Sequence, residues 1–487
     1  MNKLFMLLLA LLLASTTSAQ TEFANFKVAF SHPSHTLTTV NKTGTVCILT
    51  FEKSSLYNSA YSSIIDTLGQ RIAAGSRMYN PSDKAESLGL IGLADDFIYY
   101  EMSARDKASV QPYRIEASTG QVTTLAPLTP SLDAGSEFIQ AFTSDSQLYT
   151  LHYSNKTNRM QVCVFKDGSQ FILKSFNTPF LRLNERLFKG EKPTTPVFVD
   201  KSTEQTLSVS SRQKKIYHES DNIYIVFDGF GAQRMNISNL TTEVLQLNLS
   251  TEKADFSALP MVSRIRPIGI NSYVHEGILY RFLLTPNYDM HLSAFDLETM
   301  APRKEYLFKS NEPLTLKASP VFSNTIKPSK ADTAVVEQTE SVIKKIAVGT
   351  AAMYVEEVHP LTLQVTLGNY TLTNGNAAYL PTGTSLLSSL GPAAIPVVAA
   401  LTAAKVQAKN TGESITSFKV FLNATNFEPT APVKQHSYLE QISAYDQLLT
   451  EQKVQATAPF AYTYQNKMYY GYLDRKDKTL HLVSFSK

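Results

Sequence analysis

The chain of 487 residues contains no tryptophan and only two cysteines. Both cysteines, Cys47 and Cys163, sit in β-branched, apolar runs (TVCILTF and QVCVF). Free cysteine is among the most buried residue types, so separate buried thiols are expected rather than a bridge, and a disulfide-stapled scaffold is excluded. Charge is scarce too: the net balance is +3. The basic pairs Lys214–Lys215 and Lys344–Lys345 stand alone. Nucleic acid, which calls for clustered Lys and Arg, is therefore not an expected partner.

Several chemistries lack their residues. Zinc-ligand spacing is missing: His32 and His35 (HPSH) form the one close histidine pair, without HExxH or paired CxxC. Gly383–Ser385 (GTS) lacks the second glycine of a nucleophile elbow. Walker, GxGxxG and EF-hand loops are absent from the sequence. The adjacent acids Asp95–Asp96 and Glu356–Glu357 would face opposite sides of a strand, unsuited to flanking one glycosidic bond. No catalytic, metal or cofactor residue is assigned on this basis, and no cofactor is expected.

Residues 1–19 read as a secretory signal peptide. Lys3 supplies the positive start, Leu4 to Leu13 the short apolar stretch, and Ser15–Ala19 (STTSA) the small residues before cleavage after Ala19. Removing Lys3 leaves a net charge of 3 − 1 = +2. The expected location is outside the cytoplasm, periplasmic or extracellular. No later run is long and apolar enough to span a bilayer as a helix. Ala377–Ala404 is neutral but broken by Pro381, Pro392 and Pro396.

What the chain does have is a repeating strand grammar. A polar turn followed by an alternating strand around a tyrosine recurs at Asp95–Tyr100, Asp145–Tyr153, Ser220–Asp228, His275–Leu284, Ala351–Val355 and Gln465–Leu473. A second motif, an alternating strand running into an acidic or polar turn, recurs at Tyr113–Gln121, Leu245–Lys253, Leu292–Thr299 and Ile442–Thr450. The match of LSAFD at Leu292–Asp296 to ISAYD at Ile442–Asp446 assigns Tyr438–Leu449 to a strand despite its helical stripe. Anchors fall at Leu49, Tyr99, Tyr149, Tyr224, Tyr280, Tyr354 and Tyr469, with extra strand units at Phe198–Thr203 and Val406–Phe421. Early spacings of about 50 residues suit β-propeller blades. Six to eight blades would use residues 20–487, and seven is the number carried forward.

The ends favour a closed ring. The chain finishes on a bare strand, Thr479–Ser486, and begins with a spare one at Asn25–Phe30 that would complete the last blade. Val335–Ile346 shows helical spacing after the Lys327–Lys330 stretch and reads as an inserted linker and helix near 325–346. The expected fold class is thus all-β, a single propeller closed by its N-terminal strand.

Through these tyrosine-centred strands and the D-x-x-T turns at Asp200–Thr203 and Asp296–Thr299, residues 20–487 resemble secreted β-propeller proteins generically. No subfamily is matched: there is no WD dipeptide, no kelch double glycine and no sialidase-type Asp box. Fold alone does not assign function. The expected function is that of an exported binding or interaction protein with a protein, peptide or glycan partner. The alternative is an exported hydrolase whose acids come from separate blades at the propeller mouth. The stretch Val358–Ala404, free of Asp, Glu, Lys and Arg, reads as a buried or partner-covered region. Seven N-x-[ST] sites, at Asn41, Asn155, Asn236, Asn239, Asn248, Asn369 and Asn423, carry no conclusion about the host.

Overall fold

The structure, a computed structural model, describes residues 20–30, 32–53, 58–79, 85–103, 108–178, 183–188, 195–201, 205–229, 242–259, 267–323, 336–372, 413–433, 438–465 and 467–486. The leader with Ala19, the GTS motif, Lys327–Lys330, Asn236, Asn239 and 373–404 of the charge-free stretch lie outside them.

Seven sheets, antiparallel apart from one short parallel strand pair, form the seven blades of a propeller. The first strand in chain order, β1 (Gln20–Lys27), belongs to the last blade. Blade 1 comprises β2 (Pro33–Val40), β3 (Val46–Lys53), β4 (Asn58–Ile65) and β5 (Arg71–Tyr79). Blade 2 comprises β6 (Ala85–Gly92), β7 (Phe97–Ser103), β8 (Val110–Ile115) and β9 (Val122–Thr124). Blade 3 comprises β10 (Ser136–Ser144), β11 (Gln147–Ser154), β12 (Arg159–Phe165) and β13 (Phe171–Asn177). An insertion then carries α1 (Leu183–Phe188), β14 (Val197–Phe198) and α2 (Leu207–Ser210).

Blade 4 comprises β15 (Lys214–Glu219), β16 (Asn222–Asp228), β17 (Thr242–Asn248) and β18 (Lys253–Ala258), with β14 added as a fifth strand beside β15. Blade 5 comprises β19 (Gly269–His275), β20 (Ile278–Leu284), β21 (Met290–Asp296) and β22 (Pro302–Phe308). Next come β23 (Phe322–Ser323) and α3 (Thr339–Ile346). Blade 6 follows with β24 (Thr350–His359), β25 (Thr362–Leu372) and β26 (Glu413–Asn423), β23 pairing with β26 as its outermost strand. Helix α4 (Tyr438–Glu451) precedes blade 7, built from β27 (Ala456–Tyr464), β28 (Lys467–Asp474), β29 (Thr479–Ser486) and β1.

Closure follows the expected route. β1 pairs antiparallel with β29 from Gln20↔Phe485 to Lys27↔Thr479, so the two chain ends complete one sheet. The pairing begins at Gln20, earlier than the sequence pattern at Asn25–Phe30 indicates.

Among the described residues, apolar clusters fill six of the seven interfaces between successive blades. Leu49 and Phe51 meet Tyr99 and Tyr113 between blades 1 and 2. Tyr100 meets Phe165 between blades 2 and 3, and Phe142 meets Ile225 and Phe227 between blades 3 and 4. One continuous cluster spans blades 4, 5 and 6, and Val46 and Ile48 meet Tyr462 and Tyr469 between blades 1 and 7. Alternation explains this arrangement, because each strand sends successive side chains to opposite neighbours. Backbone also meets backbone: a Cβ on Gly75 of β5 would lie 2.0 Å from the carbonyl oxygen of Gly120, itself at φ +71 in the turn after β8.

The remaining face of blade 7 is covered by α4, and here the sequence expectation fails. Tyr438–Leu449 is helical, not a strand. The local cause is the turn chemistry. In Asp296–Thr299 the aspartate Oδ1 accepts from Thr299 N and Oγ1 at 2.9 and 2.8 Å, which ends the strand. Asp446 has Leu449 at the corresponding position, so that turn has no hydroxyl. Instead Tyr438, Ile442 and Leu449 form a buried stripe with Tyr470, Tyr472 and Phe485, and Tyr470 donates to Asp446 at 2.6 Å.

Three other expectations shift. Tyr354 lies on the first strand of its blade, whereas the other six anchors lie on second strands. Of the unit expected at Phe198–Thr203, Phe198 ends the axial strand β14 rather than a blade strand, and Ser202 and Thr203 lie outside the described residues. The helix expected from Val335 starts only at Thr339, with Val336 exposed.

Blade 3 buries an ionisable ring. His152 is 3% exposed, and its Nε2 lies 3.1 Å from Thr150 Oγ1. Burial pushes its pKa down to about 4. The unfolded chain takes up this proton near pH ~6.5, so the stabilisation from a neutral ring is complete above that pH and is lost as pH falls towards 4. The gap corresponds to about 3 kcal/mol. Urea unfolding at pH 7.5 and 4.5 is expected to show that much less acid sensitivity in His152→Gln than in the unaltered chain.

Candidate functional site

The sequence-singled residues do not gather into one site. His32 Nδ1 meets the Arg475 guanidinium at 2.8 Å, while the His35 ring stacks on Phe51 at 4.3 Å. Asp96 binds Arg114 and Asp95 is exposed. Cys47 and Cys163 are buried free thiols in blades 1 and 3, with no disulfide between them. Burial pushes the Cys163 thiol up to about 12 and the Cys47 thiol higher. Asn41 and Asn369 are 5% and 1% exposed. Asn369 Nδ2 donates to the Ile346 carbonyl at 2.6 Å, closing the C-terminal end of α3. Among the described residues no three His, Cys, Asp or Glu side chains are placed to hold a metal ion.

A site that no linear motif announces lies on the propeller axis. In blade 4 the sheet order places β14 on the inner side of β15, where a regular blade ends and the channel begins. β14 runs parallel to β15, Val197 opposite Lys215 and Phe198 opposite Ile216. Phe198 stacks on Phe142 of blade 3 at 4.2 Å. Gln205 N, further along the insertion, donates to Glu356 Oε1 of blade 6 at 3.4 Å. The described parts of the insertion therefore reach from blade 3 to blade 6 on the inner side of the blades, within the channel.

Its ties concentrate where the first and second strands of each blade join, here termed the A–B end. Lys201 pairs with Glu219 at the end of β15, and the other Glu219 oxygen accepts from Gly277 N at 3.0 Å. Glu356 Oε2 accepts from Gln364 Nε2 at 3.4 Å. Lys201 Nζ also sits 5.8 Å from the Tyr217 ring centroid. Burial raises the Tyr273 hydroxyl well above its ordinary pKa, reinforced by the negative charges of Glu356, Asp200 and Glu219. Burial lowers Lys201, opposed by Glu219.

Deeper in the same seam, the Lys215 ammonium is fully buried between three blades. It donates to the Ser210 carbonyl and to Asn271 Oδ1, both at 3.0 Å, and faces Asp228 Oδ2 at 3.4 Å. Asn271 Oδ1 also accepts from Met353 N at 3.2 Å. This network fastens α2 to blades 4, 5 and 6.

The outer surface of the A–B end is acidic. Exposed carboxylates stand at or beside this junction on five successive blades: Asp95, Asp145, Asp221, Glu276 and Glu357. The chemistry available on the axis is different. Glu219 and Glu356 there are engaged in holding the insertion, so this arrangement offers charged recognition rather than an open pair of acids across a gap.

No protein-family model matches the chain, and no curated protein matches it in sequence. Solved structures similar to it include Raptor from Chaetomium thermophilum, at 9% identity and TM-score 0.33, covering 98% of this chain and 30% of that one. The WD40 domain of SCAP from fission yeast is similar at 9% identity and TM-score 0.29, covering 95% and 97%. An ACO/RPE65 chimera is similar at 10% identity and TM-score 0.27, covering 55% of this chain and 59% of the other. No helix among the described residues is long and apolar enough to cross a membrane. The chain is an all-β, seven-bladed propeller, an assignment that rests on its own sheets.

Proposed function

We propose that the chain is an exported binding protein that recognises a protein, peptide or glycan partner through the A–B end of the propeller. The supporting observation is the filled axis. β14 and α2 occupy the channel where a propeller enzyme would admit substrate, and the acids beside them hold Lys201, Gly277, Gln205 and Gln364. What remains open to a partner at that end is the ring of turns. Export rests on the leader-like residues 1–19.

Glycoside hydrolysis would need two carboxylates facing one bond across a gap, and on the axis Glu219 and Glu356 serve the insertion instead. The test is thermal unfolding of the purified chain with panels of glycans and of neutral, acidic and lysine-rich peptides. A ligand that binds only the folded state raises the midpoint with concentration. Charge reversal at Asp95 and Glu357, exposed carboxylates of the same ring, is expected to abolish that shift without lowering the ligand-free midpoint. Turnover of glycoside, ester or peptide substrates by the purified chain, lost in Glu219→Gln, would establish the hydrolase instead. N-terminal sequencing of exported protein is expected to begin at Gln20.

A further inference from the structure

Two histidines flank the anchorage of the axial insertion. His218 lies at the end of β15, beside Glu219, and its side chain is only 2% exposed. His275 ends β19 in the next blade. Nε2 of each ring is buried and has no hydrogen-bond partner among the described residues.

The surroundings of each ring are specific. His218 Nδ1 meets Ser144 Oγ at 2.9 Å and Asp145 Oδ2 at 3.6 Å, both from the blade 3 hairpin. Asp221 and Glu219 face it from its own hairpin, and the Phe142 and Tyr149 rings pack on it at 6.2 and 4.8 Å. Phe142 is the ring on which Phe198 of the insertion stacks. His275 faces Glu276 of its own turn, Glu219 of blade 4 and Lys201 of the insertion. In both rings burial is the dominant influence and holds the imidazole neutral, opposed by the nearby carboxylates.

We infer that the A–B end is an acid-sensitive latch: protonation of His218 and His275 releases the axial insertion around β14 and α2 from the channel. A proton on either Nε2 places a cationic donor where no acceptor stands. At His275 the new charge also repels Lys201, weakening the Lys201–Glu219 tie. At His218 it adds a positive charge that competes with Lys201 for Glu219. Once the insertion leaves, water reaches both rings and their affinity for protons returns to that of an ordinary histidine, near pH ~6.5. Docking is therefore favoured above that pH and weakens as pH falls through the lower values of the docked rings. The inference concerns the insertion alone and does not depend on the identity of any ligand.

The test is hydrogen exchange on the purified chain at pH 7.5 and 5.0, corrected for intrinsic rates. The reporting amides are Val199, Ser210 and Ser211, which donate to Ile216, Thr206 and Leu207 carbonyls. Their protection is expected to fall about tenfold for each unit by which docking lowers a histidine pKa, while β20 keeps its protection. The His218→Asn, His275→Asn double variant is expected to show no such fall. If that variant does not fold, His275→Asn alone is expected to remove part of it. A uniform loss of protection across the blades, or a full pH response retained in the variants, overturns the latch.

Discussion

Asp228→Ala is expected to lower the stability of the chain by about 3–5 kcal/mol, the range for removing one partner of a buried ion pair. Asp228 and Lys215 both have fully buried side chains. The carboxylate accepts from Thr242 Oγ1 at 2.8 Å through Oδ1, and from Ser272 N and Oγ at 2.9 Å through Oδ2. It thus joins three strands of two blades while balancing the ammonium. Alanine removes four acceptor contacts at once and leaves a buried cation facing only neutral oxygens. Burial already pushes Lys215 down to about 8, with Asp228 pulling the other way, so losing the aspartate makes the ammonium costlier still. Urea unfolding at pH 7 measures the change. A loss below about 1 kcal/mol, with unchanged dependence on urea, would mean that Lys215 simply sheds its proton and that the pair contributes little.

Removal of Gln20–Lys27 is the second large effect. That segment pairs with β29 at seven residue positions, and ladder hydrogen bonds contribute roughly 0.5–1.5 kcal/mol each. Phe23 packs edge-on against Tyr469 at 4.8 Å, and Ala24 is 6% exposed. Arg71 Nη1 donates to the Lys27 carbonyl at 2.5 Å, tying the strand across to blade 1. Without β1, about 5 kcal/mol or more of stabilisation goes. The outer edge of β29, with Leu480, Leu482 and Val483, would then be left open to pairing between chains. Size-exclusion chromatography is expected to show loss of the monomer and growth of aggregates. A peptide of the Gln20–Val28 sequence supplied in trans is expected to restore the monomer, since the register is set by the strand itself. A truncated chain that stays monomeric with an unchanged melting temperature would refute closure by β1.

Much of this ring is legible before any coordinates. Leu49, Tyr99, Tyr149, Tyr224, Tyr280 and Tyr469 each mark the second strand of a blade, because that strand is buried on both faces between neighbours and accommodates a central large residue. Tyr354 breaks the rule because blade 6 takes its outermost strand, Phe322–Ser323, from upstream of the blade, which shifts the count by one strand. ISAYD misleads for a different reason. It shares the apolar alternation of LSAFD but not the threonine that completes the aspartate turn, and the exposed aromatic face of blade 7 stabilises a helix there. That missing hydroxyl was visible in the sequence and is the signal to weigh.

The axial site was not legible. His218, His275, Lys201, Glu219, Gln205 and Glu356 come from four separated segments, each of which reads locally as an ordinary turn or strand end. Only the sheet order, with β14 inside β15, reveals that Val197–Phe198 enters the channel. Nothing in Lys214–Lys215 distinguishes a solvated basic pair from two ammonium groups pressed into the interior, yet both are held down to about 8 by burial.

Local pattern by itself indicated the strand-rich class, a count of six to eight blades with seven preferred, and the closure by the N-terminal strand. These depend on period-two alternation and turn residues, which act over a few neighbours in sequence. The tertiary structure decided what fills the axis, which charges are buried and, among the described residues, that Nε2 of His218 and of His275 lacks a partner. Those properties depend on residues far apart in sequence being brought to hydrogen-bond distance, as Lys215 and Asn271, 56 positions apart, and Gln205 and Glu356, 151 apart, are, and no local pattern encodes such a meeting.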